Sequence, residues 1–142
     1  MNAMTQGLMT ISLLAATAWG GASTAPSAFA SHADGPAFAE LTFSSTQSSE
    51  ATPPSSSGGE GRIDFAGSIT TPTPCYEVSA SHTERRNAVT VTVSTADAGG
   101  ICTQVITNNN YQGAVTGLEP GTYVFTVMHE RTPAHVNTVI VR

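Results

Sequence analysis

Hydrophobic and polar positions alternate in short runs along this chain. The clearest run is Ala88 to Ser94, where Val89, Val91 and Val93 face one way and Thr90, Thr92 and Ser94 the other. A period of two is the mark of a half-buried strand. No window carries a sustained i, i+3, i+4, i+7 apolar stripe, so no helix is predicted. Strand character recurs at about 62–69, 76–82, 88–94, 101–107, 112–117, 121–129 and 135–141. Tyr123 to Met128 is apolar on both faces, which predicts a central strand. Turn chemistry separates the runs: Asp97 to Gly100, Asn108 to Asn110, Glu119-Pro120-Gly121 and Thr132-Pro133.

Upstream, Ala37 to Phe43 is a further strand-like segment. Ser44 to Gly61 is built from Ser, Thr, Gly and Pro, with no aromatic and no aliphatic beyond Ala. Such a stretch buries too little apolar surface to offset its ordering entropy, so it reads as a mobile linker. The expected organisation is therefore an extended segment and linker over 31–61 and a compact domain over 62–142. After residue 30 there are eleven Val, five Ile and four Phe but only two Leu. β-Branched side chains lose rotamer freedom in helices and suit a pleated surface. The predicted class is all-β, an immunoglobulin-like two-sheet sandwich of about seven strands.

The first thirty residues hold no Asp, Glu, Lys or Arg. Leu8 to Ala18 is an apolar run of signal-peptide length, far short of the roughly 20 residues of a membrane span. Ala28-Phe29-Ala30 follows as a small-residue cleavage site, so 1–30 reads as a signal peptide and Ser31 as the mature N-terminus. No Lys or Arg supports the n-region. The expected location is secreted or periplasmic, with no membrane span in the mature chain. The formal charge of −5 and five scattered arginines exclude a clustered basic face, and with it nucleic acid as a partner.

Two cysteines in an exported chain favour a disulfide between Cys75 and Cys102 over a metal or redox motif. The loop they close predicts a contribution of roughly 3–4 kcal/mol. First and third strands of a flat meander lie about 9.5 Å apart, whereas a disulfide needs Cα atoms within about 7 Å. If 76–82 and 101–107 are strands, the bridge favours two sheets over a meander, with the cystine at a rim.

Leu118-Glu119-Pro120-Gly121-Thr122-Tyr123, leading into Val124 to Val127, resembles the turn-into-strand signature of extracellular sandwich modules. It is similar to the L-x-P-G-T-x-Y segment of fibronectin type III domains, and closer to the L-P-P-G-T-Y form of transthyretin-like modules. The resemblance covers about ten residues. It implies a penultimate sandwich strand at 121–129 and no activity, because such modules are mostly spacers or binding surfaces.

Catalytic chemistry finds little footing. There is no G-x-S-x-G elbow, no glycine-rich phosphate loop after a strand, and no argued carboxylate pair. His129 and His135 flank the expected turn Arg131 to Ala134 and could hold Zn²⁺ or Cu²⁺ with a carboxylate, although solvated loop histidines explain them as well. His32 and His82 add nothing more specific. Arg85-Arg86 reads as a solvated hairpin tip. The expectation is a non-enzymatic exported module without a cofactor, meeting another extracellular protein or a cell-surface component. Two alternatives remain open: a secreted protease inhibitor presenting the disulfide-braced Pro72 to Cys75 segment, and a small metal-binding protein using His129 and His135.

Overall fold

The computed structural model describes residues 38–142. The signal-peptide reading of 1–30, the mature N-terminus at Ser31, and His32 all lie outside those residues. Eight strands follow: β1 Glu40–Ser48, β2 Ser55–Gly58, β3 Arg62–Thr71, β4 Tyr76–Arg85, β5 Ala88–Asp97, β6 Thr107–Thr116, β7 Gly121–His129 and β8 Thr132–Val141. They form two four-stranded sheets, ordered β1-β6-β3-β2 and β4-β5-β7-β8. All neighbours are antiparallel except β5 and β7, which run parallel. The all-β, two-sheet sandwich expected from the alternation is what forms.

Alternation decides the core. Val89, Val91 and Val93 of β5 are fully buried, beside Phe125 and Val127 of β7 and Val139 and Val141 of β8. From the other sheet, Ile63, Phe65 and Ile69 of β3 meet Tyr111 and Val115 of β6. The expected central strand is internal: β7 lies between β5 and β8. The Leu118–Tyr123 motif works as a buried corner. Both end residues are buried, and the Tyr123 hydroxyl donates back to the Glu119 carbonyl at 3.0 Å.

Glycines open the inner face of the first sheet where rings must fit. Gly113 is paired on one side with Phe43 and on the other with Phe65. Gly67 pairs with Tyr111, whose phenol would collide with any Cβ placed there.

Three expectations are corrected. First, 101–107 is not a strand. Residues 98–106 form the crossover between β5 and β6, and the expected 112–117 strand is the second half of a longer β6. Ile101, Val105 and Ile106 of this crossover are exposed. The triple Asn that reads as a turn lies inside β6 because each amide is held. Asn109 points inward and donates to Thr71 Oγ1 at 3.0 Å, so tertiary hydrogen bonds override its poor strand propensity.

Second, the turn of the last hairpin is Glu130-Arg131, and Thr132-Pro133 begins β8. Glu130 takes a positive φ of 54°, and its carboxylate accepts from the Thr95 amide at 2.7 Å. A bulge between Val127 and Met128 absorbs the extra residue on β8, and Pro133 is tolerated because β8 is an edge strand.

Third, the expected linker belongs to the sandwich. Ser44 to Ser48 complete β1 and Ser55 to Gly58 form β2, on opposite edges of one sheet. The segment joining them must cross that sheet, and β6 holds it there. Asn110 accepts from the Thr52 amide at 3.0 Å and donates to the Glu50 carbonyl at 3.0 Å. Asn108 reaches the Ser49 carbonyl at 3.5 Å. Backbone groups met by asparagine amides replace the apolar burial the composition lacks. Limited proteolysis should therefore spare 49–54 in the native chain, and Asn110→Ala should open it to cleavage. Equal cleavage of both proteins there would show that these bonds do not hold the strap.

Candidate functional site

The disulfide joins Cys75, just ahead of β4, to Cys102 in the β5–β6 crossover, with Cα atoms 6.1 Å apart. Both residues are half-buried at one end of the sandwich, the rim position expected. Gly99 and Gly100 turn the crossover with positive φ of 77° and 95°, and Asp97 Oδ1 accepts from the Gly99 amide at 2.8 Å. The bridge thus braces a loop that presents Ile101, Val105 and Ile106 to solvent. The Pro72 to Cys75 segment is less free than an inhibitory loop requires. Thr71 and Thr73 are buried, and Gln47 Nε2 donates to the Pro74 carbonyl at 2.6 Å.

The candidate metal ligands turn between the sheets and engage separate partners. His129 Nε2 lies 2.8 Å from the Tyr111 hydroxyl, its ring edge-on to the Tyr111 ring at 5.7 Å. His135 Nε2 lies 3.0 Å from Ser56 Oγ, which also accepts from Asn137 Nδ2 at 3.2 Å. This second cluster clips β2 to β8 across the sandwich edge. Among the described residues, no group of three His, Cys, Asp or Glu side chains gathers as metal ligands. His82 Nε2 lies 3.0 Å from the Ala39 carbonyl and ties β4 to the start of β1.

The Tyr111–His129 pair has a titration consequence. Burial pushes the Tyr111 phenol up from 10.0 to about 12. Burial also lowers the His129 imidazole below its usual 6.5, against an opposing pull from Glu130. As pH falls below 6.5, the unfolded chain takes up a proton that the native pair resists, so stability should drop. As pH rises from 10 towards 12, the unfolded chain releases a phenol proton that the native chain keeps, so stability should drop again. Tyr123, also raised chiefly by burial, adds to the alkaline limb. Urea midpoints against pH should show both limbs. His129→Gln should flatten the acid one and Tyr111→Phe most of the alkaline one. Unchanged limbs would place the titration elsewhere.

An open groove of about 580 Å³ lies on the outer face of the β1-β6-β3-β2 sheet. It is not legible in the sequence, because β2 and the end of β1 have the composition of a linker and β6 lies far along the chain from both. Its lining follows from the register. One cross-strand row is Thr42, Ala114, Asp64 and Ser57, and the next is Ser44, Gln112, Ala66 and Ser55. The row between them, Phe43, Gly113, Phe65 and Ser56, points inward and meets the groove only through its backbone. Ala66 and Ala114 make a low floor at the centre of the sheet, while hydroxyls from the edge strands rise on both sides. The 49–54 strap closes one end: Thr52 and Asn110 line a smaller adjoining hollow of about 220 Å³. Asp64 Oδ2 is held by Arg62 Nε at 3.1 Å, in an exposed pair of small energetic value. Ser44, Ser55, Ser57 and Gln112 face water.

Comparison with known proteins gives one similarity. A family model described as the ORF11 beta-sandwich domain matches residues 68–139, from the middle of β3 into β8. No curated protein matches the chain, and no solved structure does.

Proposed function

The chain belongs to the ORF11 beta-sandwich domain family, and from that premise we propose that it is an exported, non-enzymatic interaction module. Its partner is an extracellular protein or a cell-surface component. The observation that carries the reading is the groove on the outer sheet face. It presents hydroxyls, an amide and a carboxylate to solvent, and its one serine near an imidazole, Ser56, turns away from it towards β8. The Cys75–Cys102 bridge supports an oxidising compartment, in keeping with the apolar, uncharged first thirty residues. The Leu118–Tyr123 corner, with its Tyr123 hydroxyl bonded back to upstream backbone, supports a kinship in design with extracellular sandwich modules of the fibronectin type III or transthyretin-like kind.

Export is tested by recovering the full-length gene product from outside the cytoplasm of a bacterial host. N-terminal sequencing should begin at Ser31, and denatured, unreduced protein should show no free thiol. Soluble exported protein that keeps Met1 to Ala30 would overturn the reading.

A further inference from the structure

We propose that the groove over Ala66 and Ala114 is a binding site for a neutral oligosaccharide, an inference that names the partner class of the interaction module and rests on that reading. The site is built, since four strands and a pinned strap define it. Two cross-strand rows, about 6.7 Å apart along the strands, each cross four strands at about 4.8 Å spacing. The groove volume falls within the range of small-molecule sites.

The lining chemistry selects the ligand. Ser44, Ser55 and Ser57 each offer a hydroxyl that both donates and accepts, Thr42 Oγ1, which donates to the Ala114 carbonyl at 3.3 Å, offers an acceptor, and the Gln112 carboxamide donates and accepts through separate atoms. The Asp64 carboxylate adds an acceptor oriented by Arg62. A ligand carrying many hydroxyls satisfies such a mixture, whereas an apolar ligand would strip water from these groups and return no hydrogen bonds. Between them, the two alanine methyls give a small apolar floor against which the C–H face of a sugar ring can lie.

Charge points to a neutral ligand. Asp64 is the one charged residue of the lining, Arg62 beside the groove offsets it, and a chain of net charge −5 does not draw an anion. A peptide is the weaker fit. Peptides dock on sheets by adding a strand at an edge or by seating apolar side chains in pockets, and this groove runs over the middle of a sheet, where Asp64 and Gln112 alternate with two methyls.

The test is a titration of the isotopically labelled full chain, followed by amide chemical shifts. The probes are neutral tetra- to hexasaccharides in β-1,4-glucose, β-1,4-N-acetylglucosamine, β-1,4-mannose and α-1,4-glucose linkage, with a Gly-Ser peptide of comparable length alongside. At least one sugar should shift the amides of Ala66, Gln112 and Ala114 and leave the outer face of the other sheet unmoved. Gln112→Ala should weaken that binding at least tenfold, and Ala114→Phe, which fills the floor from the solvent side, should abolish it. Thr92→Ala, on the far sheet, should bind as the native chain does. Each variant must keep the native spectrum outside the groove. Shifts with the peptide but no sugar, no shifts with any probe, or sugar binding indifferent to Ala114→Phe would each overturn the proposal. The export experiment stands apart, since a correctly processed, exported chain that binds no sugar loses this inference alone.

Discussion

Gly113→Ala should lower unfolding stability by roughly 3 kcal/mol, at the upper end of what overpacking costs. On a domain of this size that corresponds to a drop in Tm of about 10–20 °C. The cause is steric and local. A Cβ at Gly113 would stand 2.5 Å from the Thr42 carbonyl oxygen and 2.6 Å from Phe65 Cζ. The carbonyl belongs to the β1–β6 ladder and cannot retreat without opening it. The Phe65 ring is wedged against Phe125 at a centroid distance of 5.6 Å and against Tyr111 at 6.3 Å. Neither neighbour can yield cheaply. Gly99→Ala makes the contrast. Nothing lies within 4 Å of its Cβ, but its φ is +77°, so its cost should be the backbone penalty of about 1 kcal/mol alone. Urea unfolding of both variants at one pH measures the difference. Equal losses would mean that Phe65 does not pack on Gly113.

This glycine also shows where sequence reading stops. The alternation of Val89, Val91 and Val93 was legible because facing alternates residue by residue and needs no partner. The same holds for β3, β7 and β8, each of which carries enough β-branched or aromatic residues to declare a buried face. Gly113 and Gly67 carry no side chain, so their role appears only once β6 is laid beside β3 and its neighbours supply the rings. β2 and the second half of β1, Ser44 to Ser48, are obscured for a related reason. They are built from Ser, Thr, Gln and Gly alone, a composition shared with true linkers. What orders them is held by other strands: Asn108 and Asn110 on β6, and His135 and Asn137 on β8. The groove inherits that obscurity, since its floor is two alanines on different strands and its walls are serines of the linker-like stretch. The cystine is legible as a pair, but the exposed crossover that carries Cys102 has the apolar spacing of a strand without being one. Two sheets form, and the bridge ties a loop to a strand end.

Replacing both cysteines by alanine should cost about 2–4 kcal/mol while leaving the sheet signal in far-UV circular dichroism intact. The cysteines are 27 positions apart, and closing a loop of that length in the unfolded chain is worth about 3.5 kcal/mol by chain entropy. The native structure says where the loss should appear. Residues 98–106 pair with no strand. Apart from the bridge, short bonds such as Ala98 N to the Cys75 carbonyl at 2.9 Å and Thr107 Oγ1 to the Val105 carbonyl at 3.0 Å hold the crossover. Cutting the cystine therefore frees Ile101, Val105 and Ile106 without unpairing β4 from β5 or β6 from β3. Hydrogen exchange should accelerate beyond the global change only over 98–106 and 72–75. A loss below about 0.5 kcal/mol would show that the reduced, unfolded chain already keeps this loop closed. Accelerated exchange throughout β4 and β6 would make the bridge a support of the ladders themselves, because a constraint acting only through the unfolded state leaves native opening within each sheet unchanged relative to the global free energy.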